Sequence, residues 1–192
     1  MPWALTLLAY LLGSIPSGIL VAKSLGLGDP RHSGSGNIGA SNLARLGGKR
    51  VGVITFFLDF LKGFLPVVAA CFLFPGNPSA AYLCALFAVL GHCYSIFLFF
   101  EGGKGVATAA GALFPIAPVP MLAAFVAWGI CFYCFRITSL AAMAALALLL
   151  ATLLGTNGDS ALLSVALLCS WIVVRRHETN LKALLEGQER RF

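Results

Sequence analysis

Four stretches of the chain, Trp3 to Val21, Val51 to Phe74, Ala80 to Phe100 and Ile137 to Leu154, carry almost no charge over the roughly 20 residues that a helix needs to cross a bilayer. Backbone groups in hydrocarbon must bond to one another, so runs of this kind fold as helices. A shorter run, Ala161 to Val174, is a fifth candidate. Between Val106 and Phe135 an apolar stretch is broken by Pro115, Pro118 and Pro120, which fits one kinked helix or a hairpin of two short ones. Of the 192 residues 59% are hydrophobic and 10% charged, whereas a soluble domain has about 25% charged residues. A water-soluble globular fold is excluded, and residues 1–192 read as a single membrane-embedded domain. The first run has no basic region before it and no small-residue cleavage site after it, so it is expected to stay as a span.

The positive charges decide how the proline segment folds. Lys23, Arg31, Arg45, Lys49 and Arg50 share one connection, Lys104 lies in a second, Arg136 in a third, and Arg175, Arg176, Lys182, Arg190 and Arg191 form the tail. The connections at 75–79, 115–120 and 155–159 carry none. If the prolines make a turn, every one of these residues falls on one side, as cytoplasmic segments do. The expected fold is therefore an all-α polytopic bundle of seven transmembrane helices, amino terminus outside and carboxyl terminus cytoplasmic. The net charge of +6 would suggest nucleic acid in a soluble protein, but placed this way it describes topology, and no nucleic-acid partner is expected.

Ionisable groups inside apolar runs are costly and face the bundle interior. Asp59 and Lys62, three residues apart, read either as a self-neutralising pair or as part of a proton or substrate pathway. His92 sits about two turns before the end of its expected span and reads as a packing histidine or as part of a site. The six cysteines lie in or beside apolar runs and read as small apolar fillers. Cys131 and Cys134 have redox spacing without the βαβ surroundings such a motif needs.

Three polar segments lie on the basic side. In the first, Gly34, Gly36 and Gly39 let the backbone turn, Ser35, Asn37, Ser41 and Asn42 add neutral hydrogen-bonding groups, and Arg45 offers a planar fork. That is chemistry for an oxyanion, or else a solvated loop. In the second, Gly102, Gly103, Lys104 and Gly105 open an apolar helix that includes Thr108. Glycines at a helix start allow close approach of a phosphate, and Lys104 adds a charge. The spacing is not that of a Walker loop. In the third, Leu181, Leu184 and Leu185 mark an apolar stripe at helical spacing, while His177 and Asn180 project together. His177 suits a base or a hydrogen-bond donor to a phosphorylated ligand.

GSGNIGASNLARLGGK, GH followed by FEGGKGVATAAG, and RRHETNLKALLEGQE resemble, in order and at their spacing, the three motifs of the acyl-phosphate-dependent glycerol-3-phosphate acyltransferases of bacterial phospholipid synthesis, the PlsY family. Ser41 stands where threonine is commoner, Cys93-Tyr94-Ser95 where an aromatic-proline pair is usual, and Glu101 and Glu178 where basic residues are. The resemblance implies acyl transfer from acyl phosphate to the 1-hydroxyl of sn-glycerol 3-phosphate, giving lysophosphatidate and phosphate at the cytoplasmic face of the plasma (inner) membrane. On that reading glycerol 3-phosphate meets Gly102, Gly103, Lys104, Gly105 and Thr108. Ser35, Asn37 and Arg45 hold the acyl phosphate or the departing phosphate, Asn42 orders their loop, His177 accepts or relays the hydroxyl proton, and Asn180 orients substrate. A substrate phosphate oxygen is the alternative base. The partners are the two substrates and membrane lipid, with no cofactor or metal and a monomer expected. A transporter for a phosphorylated anion and a non-catalytic lipid-binding scaffold are the competing classes.

Overall fold

A computed structural model describes residues 2–156 and 159–192. Ten α-helices make up the bundle: α1 (Pro2–Ser14), α2 (Ser17–Ser24), α3 (Ala40–Gly47), α4 (Lys49–Leu73), α5 (Pro78–Cys93), α6 (Val106–Leu113), α7 (Pro118–Phe135), α8 (Thr138–Gly155), α9 (Ser160–Arg176) and α10 (Glu178–Leu185). There is no strand among the described residues. Among the described residues four helices are long and apolar enough to cross a membrane, or six spans if the bent pairs α1–α2 and α9–α10 each count as one.

The outside of the bundle is greasier than the inside. Phe72 is 84% and Phe99 91% exposed, while the core is mostly alanine, valine and cysteine. Helices lined with small residues approach closely where lipid supplies no hydrophobic push between them. A methyl on Gly13 of α1 would sit 2.2 Å from the Ala88 carbonyl oxygen of α5, and one on Gly111 of α6 would sit 2.0 Å from that of Phe60 on α4. α5 is the central helix, touching α1, α4, α6 and α9, while α7 and α8 pack mainly on each other.

The first run is not one straight helix. Pro16 lacks an N–H and ends α1, and α2 leaves at 41°. The prolines after α6 also break the chain, with α7 starting at Pro118 as its first helical residue. α6 has eight residues and rises only about 12 Å. α5 ends at Cys93, so His92 lies in its last turn rather than two turns inside. Only Cys84, Cys93 and Cys169 are buried fillers; Cys71 and Cys134 are exposed, and all six thiols are free. In α10, Leu185 is 90% exposed and no residue is fully buried, so the expected leucine stripe is only partly covered. α10 leaves α9 at a bend of 62°.

Candidate active site

The three polar segments meet around one cavity of about 810 Å³. Three short helices begin at its wall. The first-turn residues Ala40 and Ser41 of α3, Val106 and Ala107 of α6, and Thr179 and Asn180 of α10 all line it. None of these helices has a side-chain cap bond at its start. First-turn N–H groups have no partner inside their own helix and carry partial positive charge, so the wall is built of unpaired donors. Arg45, Lys104 and Arg176 add full charges.

Asn42 organises the first loop. It is buried, its Nδ2 donates to the carbonyl oxygens of Pro30, Ser33 and Asn37 at 3.1, 3.0 and 2.8 Å, and its Oδ1 accepts from the Ser35 N–H at 2.8 Å. Gly34, with φ at +64°, passes so close that a methyl there would lie 2.1 Å from that same Oδ1. Asn42 thus acts on the cavity through the loop, its amide committed to four backbone groups. Asn37 accepts from the Gly39 N–H at 2.8 Å and sets the turn into α3. Ser35 and Arg45 line the cavity, and the Arg45 guanidinium lies 4.6 Å from the centre of the Phe192 ring. Arg31, earlier in the same loop, is neutralised by Asp29 at 2.6 Å.

The second segment differs from expectation. The N–H groups of Gly102 and Gly103 are not free for an anion: they donate to the carbonyl oxygens of Cys93 and His92 at 3.1 and 3.0 Å. Their carbonyls accept from Arg176, Gly102 from a terminal nitrogen at 2.5 Å and Gly103 from Nε at 3.0 Å. Glycine is needed there because the backbone lies against His92, where a methyl on Gly103 would come within 2.2 Å of Nε2. Thr108 is fully buried, and its hydroxyl is hydrogen-bonded to His92 Nδ1 at 3.0 Å instead of facing the cavity. Gly102, Lys104 and Gly105 do line it. Burial lowers the Lys104 pKa, opposed by Glu189 and helped by Arg45 and Arg176.

His177 sits beyond the last span, at the bend between α9 and α10, and is 3% exposed. Its Nδ1 lies 2.8 Å from the Val173 carbonyl oxygen. A carbonyl can only accept, so Nδ1 carries the proton and Nε2 keeps a lone pair. Burial, with the charge of Lys104 beside it, depresses its pKa to about 4 against the pull of the Val173 bond and Glu189. The imidazole is therefore neutral at neutral pH and presents Nε2 as an acceptor. Asn180 accepts from Lys104 Nζ and donates to Glu189 Oε1 at 2.7 Å.

Sequence reasoning did not single out Arg176, Ser139 or the chain end. Ser139 Oγ donates to Glu189 Oε1 at 2.6 Å, and the Phe192 N–H donates to the Arg136 carbonyl oxygen at 2.7 Å, folding the tail across the cavity. Arg176 reads locally as an interfacial anchor; only the neighbouring carbonyls reveal its task.

Beside the polar cavity runs an apolar groove of about 570 Å³. The two share wall residues Ala40, Ser41, Phe56, Val106, Trp128 and Thr138. From there the groove follows α7 and α8 inward past Ala145 to Leu149.

Comparison with known proteins gives one consistent result. The family model described as glycerol-3-phosphate acyltransferase matches residues 3–187. Proteins named glycerol-3-phosphate acyltransferase are similar along the full chain. That of Syntrophotalea carbinolica is 40% identical over 190 residues, 99% of this chain and 97% of its own. That of Pseudomonas paraeruginosa is 43% identical over 192 residues, 100% of both. Two crystal structures of PlsY (YgiH), described as an integral membrane glycerol 3-phosphate acyltransferase, superpose closely. The glycerol 3-phosphate form has a TM-score of 0.95 at 41% identity, and the lysophosphatidic acid form 0.93 at 40%. Each covers 100% of this chain and 95% of its own.

Proposed function

This chain belongs to the glycerol-3-phosphate acyltransferase family of phospholipid biosynthesis, the PlsY family, and from that premise we propose that it moves a fatty acyl group from acyl phosphate to the 1-hydroxyl of sn-glycerol 3-phosphate, releasing phosphate and leaving lysophosphatidate in the membrane. The observation that carries this reading is the shared wall between a cavity ringed by helix starts and an apolar groove. Two phosphates need two cradles of donors, and an acyl chain needs a dry slot opening onto them. The known structures in glycerol 3-phosphate and lysophosphatidic acid forms support the same pair of ligand types.

Glycerol 3-phosphate sits at Lys104, Gly105 and the opening turn of α6, while Ser35, Asn37 and Arg45 hold the acyl phosphate or the departing phosphate. Asn180 orients the glycerol end. The hydroxyl oxygen attacks the acyl carbonyl carbon, the carbon–oxygen bond to phosphate breaks, and that oxygen leaves with its electron pair on phosphate. Acyl phosphate is a mixed anhydride with a good leaving group, so positioning and charge neutralisation carry most of the work. The Nε2 lone pair of His177 can accept the hydroxyl hydrogen bond. With a pKa near 4 the imidazole is a weak base, which favours the departing phosphate as final owner of the proton and His177 as its guide.

In the membrane the chain makes seven passes, α6 being the shortest, with its amino terminus outside and the cavity at the cytoplasmic face of the bacterial inner membrane. The gathering of Arg31, Arg45, Lys104, Arg175, Arg176 and Arg190 around one cavity supports that orientation. Incubating detergent-purified protein with palmitoyl phosphate and glycerol 3-phosphate tests the activity. Phosphate release that requires both substrates is expected; no release, with glycerol 3-phosphate counterflow in liposomes, would make the protein a transporter instead.

A further inference from the structure

Beside the start of α6 lies a buried polar cluster that the transfer scheme leaves unused, although two of its members, Asp59 and His92, line the cavity. At the Pro16 break the Ile15 carbonyl accepts the Ser17 N–H at 2.9 Å and also Lys62 Nζ at 2.7 Å. The same ammonium lies 2.9 Å from Asp59 Oδ1, and that oxygen lies 3.5 Å from His92 Nδ1. His92 Nδ1 is in turn hydrogen-bonded to Thr108 Oγ1. Asp59, Lys62, His92 and Thr108 are 2, 8, 4 and 0% exposed. His92 also accepts the Gly103 N–H with its own carbonyl, and its ring packs against the Gly103 Cα. One residue therefore grips the glycine segment at two points, Gly103 and Thr108. Lys104 stands between them.

We infer that His92, set beside the buried Asp59–Lys62 pair, is a positioning residue that helps to set the rotation of α6 and the placement of Lys104 for a phosphate. Alanine contacts alone would hold α6 against α4 and α5 just as closely, as Ala109, Ala110 and Ala112 do. The fits of Gly111 on the Phe60 carbonyl and of Gly63 on the Thr108 carbonyl limit its rotation along the helix, and the directional hydrogen bond from Thr108 to His92 fixes it at the cavity end. Burying a carboxylate and an ammonium to brace one imidazole is costly packing, and its use here is orientation. The unpaired N–H groups of Val106 and Ala107 and the Lys104 side chain all turn with α6, so their convergence depends on Thr108 staying on His92.

The inference rests on the reading above that glycerol 3-phosphate sits at Lys104, and its test reads binding apart from turnover. Calorimetry of glycerol 3-phosphate with the detergent-purified full chain, without acyl donor, is run beside steady-state kinetics. Thr108→Val keeps the side-chain shape and removes the hydroxyl; it is expected to weaken the glycerol 3-phosphate Kd and KM about tenfold, the worth of one or two buried hydrogen bonds, with the acyl-donor KM unchanged. Thr108→Ser and His92→Asn, each keeping a polar atom at the contact, are expected to restore most of the binding relative to Thr108→Val and His92→Leu. Pairing Asp59→Asn with Thr108→Val should be no worse than the weaker-binding single variant, because both break one chain. An unchanged Kd in folded Thr108→Val, serine and asparagine variants no better than valine and leucine, or additive losses in the double variant would each overturn the inference. Should Thr108→Val fail to give a monodisperse protein, the comparison of His92→Asn with His92→Leu decides the question by the same criterion. Wild-type protein that binds glycerol 3-phosphate but transfers no acyl group would overturn the reaction assigned above while leaving the Kd comparison readable.

Discussion

Arg176 holds Gly103 by its backbone, Nε to carbonyl oxygen at 3.0 Å, across 73 positions of sequence. The second arm of the fork reaches Gly102, and the guanidinium lies over the Tyr94 ring. An arginine that could have been an anchor for the last span instead clamps the loop that presents Lys104.

Arg176→Lys keeps the charge and loses the fork, since an ammonium cannot span two carbonyls in fixed geometry. The expected result is a loss of about 1–3 kcal/mol in stability and a raised glycerol 3-phosphate KM with a smaller change in kcat. Thermal unfolding in detergent and initial-rate kinetics measure both. A KM equal to that of the wild type would show that the loop keeps its shape without the clamp.

Asn42→Ala strands the carbonyl oxygens of Pro30, Ser33 and Asn37 and the Ser35 N–H that the amide now satisfies. Unpaired buried polar groups cost about 1–3 kcal/mol each before water enters. The loop carrying Ser35 and Arg45 is expected to lose its form, with activity down by roughly a hundredfold or more for a loss near 3 kcal/mol. Hydrogen exchange at 33–39 should rise in step; full protection there would separate the loss of activity from the loop.

Gly103→Ala places a methyl 2.2 Å from His92 Nε2, in a ring braced on its other side by Asp59 and Thr108. The ring has little room to yield, so loss of glycerol 3-phosphate binding is expected while the bundle still folds. Gly76→Ala is the comparison: like Gly103 it has an ordinary φ, but nothing lies within 4 Å. Equal binding by the two variants would count against close approach as the reason for glycine at 103.

The His177 imidazole should titrate near pH 4, with no change of charge through pH 6.5. A lowered histidine pKa means the neutral ring is favoured in the folded protein, so a step that needs its lone pair persists through mildly acid pH and fails only as pH approaches 4. Isotope-labelled histidine followed by NMR reads the midpoint directly. A midpoint close to 6.5 would mean that the ring is hydrated and not packed on Val173.

Ala145→Phe fills the apolar groove between α7 and α8 without touching the polar cavity. It should raise the KM for long acyl donors, spare short ones, and leave the glycerol 3-phosphate KM alone. Kinetics with donors of graded chain length make the comparison; equal KM values for long and short donors would take the acyl chain out of this groove.

Much of this architecture is legible before any coordinates. Apolar runs bounded by turns and charge place α4, α7, α8 and α9 to within a few residues, because membrane helices are dictated by composition over a whole window of about 20 residues. The glycine-rich loop, Lys104 and the His177–Asn180 pair are equally visible, since each is a local cluster of unusual chemistry. What escapes is pairing at a distance. Gly102 and Gly103 look like open donors until Cys93 and His92 take their N–H groups, and Thr108 looks like a ligand until it turns to His92. Glu189 joins Ser139 and Asn180 only because the tail doubles back. Pro16 is a local signal, and it ends α1 as its missing N–H dictates.

Val53 and Phe57, at 53 and 56% exposed, form one flank of the apolar groove and leave it unwalled toward the surrounding lipid. On the reaction proposed above, an acyl chain lying there would be open to the bilayer on that flank, and encounter would happen in two dimensions. The quantity that governs how often the groove fills is then the donor's mole fraction in the leaflet, and diluting the membrane with inert lipid or detergent should slow turnover at constant bulk concentration. On the same proposal glycerol 3-phosphate, arriving from water, would obey ordinary molarity, so the two substrates would answer to different measures of abundance.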